Sequence, residues 1–365
     1  MGFKNLISKM KKTNKISNNR EEEKMSRKFE TELAGRKLVV ETGRVAELSN
    51  GNAIIRYGDT VVMVNVTASK EPREGIDFFP LSVDYEEKLY SVGKIPGSFT
   101  KREGKPADKA ILVSRAIDRP LRPLFPKDFR NDVVVVATVL SVEPDNSPEV
   151  CAMIGASVAL SISDIPFGGP TAAVNVGYVD DKIVINPTLE QREKTRLTLT
   201  VAGTMEKVTM IEAGADEIPN DTMLDCIKAG HDEIKKLCKF IENIKEEVGK
   251  PKFEYTSFAT NKEVFEEIST NFKERMYKDV QAQDKETRDA NMDKITEDIK
   301  NYFVEKYGEE EALSKSADIA NSIHDLEKEC VREMIFKEHK RPDGRKIDEL
   351  RPLSCEVGFL PRVHG

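Results

Sequence analysis

The sequence predicts an α+β fold, a mixed β-sheet with packed helices followed by a small all-α domain. Residues 29–250 alternate short β-branched runs and turns with three helical stretches, which is typical of strands covered by helices. From residue 251 to 335 apolar residues recur at three- and four-residue steps, and Gly308 is the only glycine. Strand-like sequence then returns over residues 336–365. We therefore predict a mixed domain, an all-α domain and the truncated start of a further domain.

The composition indicates a well-solvated protein of two or more domains. The 365 residues are 39% apolar and 33% charged, and no run approaches the length of about 18 uncharged apolar residues that a membrane span needs. The five cysteines are scattered and never form a C-x-x-C pair. This favours reduced, buried thiols in a cytoplasmic protein over disulfides or a metal site. Residues 1–28 are polar and lack an apolar signal region, so we expect a disordered extension there.

The first strands of the mixed domain follow from short-range patterns. Residues 53–69 predict a hairpin, with the turn Arg56–Asp59 between two β-branched runs. Residues 78–83 predict a further strand. The acidic residues that follow it are better explained as a solvated strand end than as a metal site; they are Asp84, Glu86 and Glu87. Val133–Val142 is almost wholly apolar, which fits a strand buried on both faces.

Besides a short helix that carries Arg115 and Arg119 one turn apart, two further helices are predicted in the same domain. In the first, which follows Pro148, the small residues Gly155–Ser157 would let the helix lie close to a sheet. Asn220-Asp221 is expected to cap the second, which Gly249 ends. Strands are predicted between them at 172–179, 183–185, 197–202 and 207–212. Carboxylates around the start of the second helix suit the positive end of the helix dipole better than a metal site; they are Asp216, Glu217, Asp221 and Asp225.

A basic stretch on an acidic chain carries the main functional signal. From Phe99 to Arg130 nine Lys and Arg stand against four Asp and Glu, a net charge of +5, whereas the whole chain carries −7. An aromatic on a basic loop suits a single-stranded nucleic acid, because bases stack on the ring and phosphates pair with the cations. The candidate binding residues on the loop are Phe99, Lys101, Arg102 and Lys105. The candidates behind the loop either contact RNA or form ion pairs with Asp118, and they are Arg115, Arg119 and Arg122.

The end of the chain echoes its first predicted strands. Arg351–Leu353 and Glu356–Gly358 match Arg36–Leu38 and Glu41–Gly43, and the spacing to the next glycine differs by one residue. This pattern predicts an internal repeat that begins and is then truncated. We therefore expect the chain to be a fragment.

Several long motifs together resemble the polynucleotide phosphorylase family, the bacterial phosphate-dependent 3′→5′ exoribonucleases. They are KIPGSFTKREGKP, RAIDRPLRPLFP, VAGT from Val201 and RPDGRKIDELRP from Arg341. The resemblance covers residues 29–365 and implies two ribonuclease-PH-like cores joined by a helical domain. This chain would then hold the first core (29–250), the helical domain (251–335) and the start of the second core (336–365).

The resemblance also implies how such a protein works. Family members form ring-shaped homotrimers whose central pore takes in single-stranded RNA. With Mg²⁺, inorganic phosphate attacks the 3′-terminal linkage and releases nucleoside diphosphates, a reaction that is reversible. A complex of RNA degradation is an expected partner. The family's loop at the pore constriction usually reads F-F-R-R, and here it reads Phe99-Thr100-Lys101-Arg102, so one aromatic is lost.

The same resemblance implies that this half is catalytically silent. In the family the metal and phosphate chemistry belongs to the second core, where the strand before V-A-G-T reads G-D-M-D-F-K. Aligned on Val201–Thr204, this chain has Thr198 and Thr200 in place of that motif's carboxylate and lysine. Their hydroxyls lack the charge that a hard divalent cation or an attacking phosphate requires. We therefore expect no catalytic residue, metal ligand or cofactor in this chain, with the active core beyond Gly365.

Three functions stay open on the sequence. The chain is part of an RNA-phosphorolysing enzyme, or it is a non-catalytic module that binds single-stranded RNA and oligomerises. The third is a metal-dependent hydrolase built on the acidic clusters, which would release nucleoside monophosphates with water.

Overall fold

The computed structural model describes residues 26–97, 99 and 101–362. These residues form two compact units, the first ending at Phe258 and the second beginning at Ala259. Of the predicted extension, residues 1–25 lie outside the described part, and Arg27 and Lys28 already belong to the first strand. Thr100 of the predicted pore loop and Gly365 of the predicted repeat also lie outside it.

A six-stranded mixed sheet forms the first half of the first unit. Its strands are β1 (Arg27–Leu33), β2 (Arg36–Thr42), β3 (Gly51–Tyr57), β4 (Thr60–Ala68), β5 (Leu81–Glu87) and β6 (Val133–Ser141). The spatial order is β1-β2-β3-β4-β6-β5, antiparallel except for the parallel pair β5 and β6. The hairpin predicted at 53–69 is confirmed as β3 and β4, with Tyr57 opposite Thr60.

Strand β5 begins later and ends later than the sequence predicts. The strand covers Leu81–Glu87, because parallel pairing with β6 sets Leu81 opposite Val133 and continues to Glu87 opposite Val139. Phe79 lies outside the strand, and its ring packs 4.7 Å from the ring of Phe125. The acidic residues of this region therefore lie within an edge strand and not after it. On β6 one face is buried and the other is half-buried, so the prediction of burial on both faces holds for one face only.

A four-stranded antiparallel sheet forms the second half of this unit. It consists of β7 (Ala172–Val179), β8 (Lys182–Ile185), β9 (Leu197–Gly203) and β10 (Val208–Ala215), in the order β10-β9-β7-β8. The predicted strands correspond to these, with β10 three residues longer at its end.

Helices fill the space between the sheets and cover their edges. They are α1 (Asp108–Leu121), α2 (Pro148–Ile162), α3 (Leu189–Lys194) and α4 (Asn220–Val248). Helix α2 packs on β3 and β4 of one sheet and on β7 of the other, and all its residues from Val150 to Ile162 are buried. A Cβ at Gly155 would lie 2.6 Å from Val64 Cγ2, so the predicted close approach of helix and sheet is confirmed.

The start of α4 differs from the prediction. Pro219 occupies the N-cap position, and no side chain caps the helix with a hydrogen bond. Asn220 and Asp221 are instead the first two helical residues, because proline's fixed backbone angle, here φ −60°, already sets the chain's entry. Asp221 still lies in the first turn, where its charge favours the helix dipole.

The second unit is helical. Its elements are α5 (Lys262–Asp279), α6 (Lys285–Tyr307), α7 (Glu309–Ser314) and α8 (Ser316–Glu338). They enclose a separate apolar core that includes Ile268, Ile295, Ile299, Phe303 and Leu326. Beyond α8, the described residues as far as 362 form only a bridge between Lys340 and Lys346, so the strand-like sequence there forms no strand. Across the described ranges, no helix combines the length and the apolar character needed to cross a membrane.

The prediction that the thiols are buried is correct for four cysteines of five. Cys151, Cys226, Cys238 and Cys330 are buried and free, whereas Cys355 is exposed. Burial raises the pKa of the Cys238 thiol to about 12 and that of Cys330 to about 11, so both stay protonated near neutral pH.

Candidate nucleic-acid interface

The loop between β5 and α1 presents an aromatic ring and three cations to solvent. Phe99 is fully exposed, and Lys101, Arg102 and Lys105 are exposed around it. Within the described residues none of these three cations forms an ion pair or a side-chain hydrogen bond. An exposed ring gains free energy when a flat partner covers it, and unpaired cations attract phosphates. The loop therefore offers the two contacts that a single-stranded nucleic acid needs.

The base of this loop is fixed, although its tip is exposed. A short 3₁₀ helix, Leu89–Val92, leads out of β5, and the backbone N–H of Val142 donates to the carbonyl of Ser91 over 3.1 Å. On the far side, the Leu89 N–H donates to Glu103 Oε1 over 2.9 Å. The start of the loop is thus fixed by hydrogen bonds to Val142, next to β6, and to Glu103 on the later part of the loop itself.

Arg122 is committed to the fold. Its guanidinium donates to both carboxylate oxygens of Asp118 over 2.7 and 2.9 Å and to the carbonyls of Phe79 and Leu81 over 3.2 and 3.1 Å. Four donated hydrogen bonds leave little capacity for a phosphate. Arg122 therefore joins the end of α1 to the start of β5.

The other two arginines of α1 are less engaged. Arg119 forms an ion pair with Glu212 of β10, and both side chains are largely exposed. Arg115 is exposed and forms no ion pair with any described residue. Of the three arginines behind the loop, Arg115 is the one whose charge is free for an external anion.

Beneath the loop lies a cleft of about 600 Å³ that the sequence did not reveal. Its walls come from the 3₁₀ helix, from residues 103–107 of the loop and from the turn before α2. Tyr85, buried on β5, donates through its hydroxyl to Glu87 Oε1 over 3.1 Å at this site. We name it the loop cleft. Its members come from segments far apart in the chain, so no sequence spacing identifies it.

A second, smaller cleft of about 320 Å³ lies over β9 and contains Thr198 and Thr200. The Thr200 hydroxyl donates to Asn175 Oδ1 over 2.9 Å. Two carboxylates line this smaller cleft, Glu149 and Glu212, and each forms an ion pair with a cation. Lys109 Nζ lies 2.8 Å from Glu149 Oε1, and Arg119 pairs with Glu212.

Electrostatics explain why the ion pair between Lys109 and Glu149 is stable. Burial raises the pKa of the Glu149 carboxyl, but hydrogen bonds from Lys109 and from Ser147 outweigh burial and hold that pKa below its usual value. The hydrogen bond to Glu149 raises the pKa of Lys109 in turn. Both groups therefore stay ionised near neutral pH.

The residues of the smaller cleft do not fit Mg²⁺. Hard divalent cations take several carboxylate or carbonyl oxygens, whereas the two carboxylates that line this cleft are already paired and its threonines offer only hydroxyls. In the described part of the chain, no group of three or more His, Cys, Asp or Glu side chains is placed to hold a metal ion.

Three family descriptions match consecutive parts of the chain. They are "3′ exoribonuclease family, domain 1" over residues 34–166, "3′ exoribonuclease family, domain 2" over 169–233, and "Polyribonucleotide nucleotidyltransferase, RNA binding domain" over 263–346. The first two fall in the first unit and the third in the helical unit.

Curated bacterial proteins named polyribonucleotide nucleotidyltransferase are closely similar in sequence. One from Ruminiclostridium cellulolyticum is 59% identical over 337 residues, which is 92% of this chain and 47% of the relative. One from Caldicellulosiruptor saccharolyticus is 58% identical and one from Clostridioides difficile 54%, over the same length. Among solved structures, rice (Oryza sativa) Rrp46 has a TM-score of 0.47 at 14% identity, covering 57% of this chain and 94% of its own.

The chain spans about half the length of the curated relatives that it matches, at 47% of the first. The predicted family resemblance is confirmed by these matches, and so is the predicted α+β fold with its mixed sheet. The chain belongs to the polyribonucleotide nucleotidyltransferase family and has the domains of that family's N-terminal region.

Proposed function

We propose that this chain is the RNA-guiding part of a phosphate-dependent 3′→5′ exoribonuclease. In the whole enzyme, inorganic phosphate attacks the 3′-terminal linkage of RNA and releases nucleoside diphosphates, and the reverse reaction extends RNA. The observation that carries the proposal is the exposed ring of Phe99 beside three cations that no described side chain neutralises.

The physical basis is a division of labour between ring and charge. Stacking of a base on an aromatic ring contributes roughly 1–3 kcal/mol and is tolerant of base identity. Lys101, Arg102 and Lys105 add phosphate contacts whose strength depends on salt. A strand held in this way can slide, because neither contact reads a particular base.

We further propose that this part does not itself cut RNA. Thr198 and Thr200 present hydroxyls where charged ligands would be needed, and the nearby carboxylates are paired. The Mg²⁺ and phosphate of the whole enzyme would then bind to residues other than these. Assembly as a homotrimer, participation in a complex of RNA degradation and a place in the cytoplasm belong to the same proposal.

A second candidate function is a non-catalytic module that binds single-stranded RNA and oligomerises. The chemistry of the smaller cleft favours it for the chain as it stands. The hydrolase alternative has less support, because some of its acidic residues are already paired with lysines. Glu86 pairs with Lys88, and Asp225 pairs with Lys228.

The binding proposal is tested by titrating labelled single-stranded RNA with the chain and three variants. Phe99→Ala should weaken binding at all salt concentrations, because stacking does not depend on salt. Lys101→Ser/Arg102→Ser should weaken binding and flatten the plot of log K against log salt by about 1.4, since each phosphate contact contributes about 0.7.

The matched control removes two exposed lysines of the four-stranded sheet region that form no ion pair with any described residue, Lys182→Ser/Lys207→Ser. It changes net charge by the same amount and should leave the salt slope unchanged. Equal affinities and slopes for the chain and its loop variants would show that the loop does not hold RNA.

A further inference from the structure

The loop cleft is large enough to hold a nucleoside. At about 600 Å³ it lies within the range of small-molecule sites, which is about 300–1,000 Å³. One wall, residues 103–107, is the direct continuation of the segment that carries Phe99, Lys101 and Arg102. Leu89, Pro106 and Val142 supply apolar lining against which a flat ring can pack. An RNA strand held by the loop therefore runs beside an opening that is large enough for a nucleoside.

Charge is segregated between the cleft and the loop. Five carboxylates and four cations line the cleft, a net charge of −1. Residues 94–105 of the loop carry four cations and one carboxylate, a net charge of +3. Glu103 and Lys105 belong to both sets, and without them the net charges are still −1 and +3. A phosphate is attracted to the loop more than to the cleft, whereas a neutral base is free to enter the cleft. This is the arrangement for a nucleotide with its phosphate outside and its base inside.

Two carboxylates of the cleft are oriented and still have acceptor capacity. Glu87 receives the Tyr85 hydroxyl on Oε1, and Glu103 receives the Leu89 N–H on Oε1. Burial raises the pKa of Tyr85, so its hydroxyl stays a donor and keeps Glu87 in place. In each carboxylate the Oε2 atom accepts no hydrogen bond from the described residues, so it can accept one from a ligand.

From these observations we infer that the loop cleft is a subsite for one unstacked nucleobase of the bound RNA, with a preference for a base that carries an exocyclic amino group. The inference rests on the proposed function and names what the same interface recognises. Cytosine, adenine and guanine each offer amino protons to a carboxylate. Uracil presents a carbonyl oxygen at the position of the cytosine amino group, and two acceptors repel each other.

The test compares oligocytidine and oligouridine of equal length, because their bases differ in one exocyclic group and the 3-position proton. Fluorescence anisotropy with the complete chain should give a tighter dissociation constant for oligocytidine by about three- to tenfold. That range is the effect of one charge-assisted hydrogen bond, reduced because Glu87 and Glu103 are exposed to solvent.

The deciding variant is Glu87→Gln/Glu103→Gln. It keeps the acceptor oxygens for Tyr85 and Leu89, and its amides can donate to uracil. Removing two negative charges strengthens binding of both oligonucleotides, so the ratio of the two dissociation constants is the readout and should fall toward one. Glu47→Gln/Glu206→Gln, at two exposed positions outside the cleft, is the matched control and should leave the ratio at the value of the unchanged chain.

The outcomes separate this inference from the proposed function. Equal binding of the two oligonucleotides by the unchanged chain would overturn the subsite, and so would a ratio that survives the double substitution or falls equally in the control. If the Phe99→Ala and Lys101→Ser/Arg102→Ser variants still weaken RNA binding in that case, only the subsite is lost. Absence of RNA binding by the unchanged chain would overturn both.

Discussion

At the scale of single residues, Arg122 and Arg115 have the same side chain and different surroundings. Arg122 bridges α1 and β5 through Asp118 and two carbonyls, whereas Arg115 faces solvent without an ion pair among the described residues. A guanidinium with four acceptors stabilises the fold, and one with none is available to a ligand. Arg122 therefore has a structural role, and Arg115 is the arginine that we propose contacts RNA.

We expect Arg122→Ser to lower the free energy of unfolding by about 1 kcal/mol, since its ion pair is partly exposed to solvent and its bonds to carbonyls are modest. Arg115→Ser should leave stability unchanged and weaken RNA binding. Thermal unfolding and RNA titration of both variants check this. A stable Arg122→Ser variant with weakened RNA binding would reverse the two roles.

Asp128 gives a pH-dependent contribution to stability. Burial raises the pKa of its carboxyl, but hydrogen bonds from Ser257, the backbone and Tyr255 outweigh burial and lower the pKa below its usual value. A carboxylate whose pKa is lowered by folding stabilises the fold above the unfolded-state pKa, about 4, and this stability is lost as pH falls through the folded-state value.

We therefore expect Asp128→Asn to cost about 1 kcal/mol at neutral pH and progressively less as the pH falls below about 4. Denaturant unfolding of both proteins between neutral and acid pH measures the difference. Asp181→Asn, in an exposed turn, is the control for the loss of one negative charge. A constant difference for Asp128→Asn at every pH would contradict the proposed ionisation.

The residue types pointed to the exposed aromatic and basic side chains of the loop, but not to the contacts that Arg122 and Tyr85 make behind it. Phe99 and the loop cations are signalled by an aromatic among basic residues, a local pattern in the sequence. The partners of Arg122 and of Tyr85 depend on how α1 lies against β5, because they involve carbonyls and carboxylates on other elements. The loop cleft, whose walls meet only in the fold, was missed for the same reason.

At the scale of elements, α2 depends on small side chains. It lies between the two sheets, and a Cβ at Gly155 would approach Val64 Cγ2 to 2.6 Å and Ile55 Cγ1 to 2.9 Å. We expect Gly155→Ala to lower stability by about 1–3 kcal/mol, because both strands would have to move. Gly214→Ala on β10, where no atom lies within 4 Å of the new Cβ, is the control for calorimetry. Equal melting temperatures for the two variants would refute the close packing.

Elements set by local sequence were predicted more closely than those set by pairing. The β3–β4 hairpin and α2 follow from a turn and from a run of small apolar residues. The position of β5 follows from parallel pairing with β6, in which Leu81 lies opposite Val133, a residue 52 positions later in the chain. The prediction at 78–83 placed Phe79 in a strand, whereas the fold uses it in an aromatic cluster.

At the scale of the whole molecule, charge is divided unevenly. Residues 99–130 carry +5, whereas residues 259–338 of the helical unit carry 13 Lys and Arg against 21 Asp and Glu, a net charge of −8. A polyanion is attracted by residues 99–130 and repelled by residues 259–338 of the helical unit. RNA binding by this chain should therefore depend on the loop of the first unit.

The most direct test is to supply the chain with end-labelled single-stranded RNA, Mg²⁺ and inorganic phosphate, and to separate the nucleotides released. A full-length curated relative, assayed in parallel, is the positive control. We expect the chain to bind the RNA, as anisotropy on the same sample would report, and to release neither nucleoside diphosphates nor monophosphates. Phosphate-dependent release of nucleoside diphosphates by the chain alone would contradict the claim that this half guides RNA without cutting it.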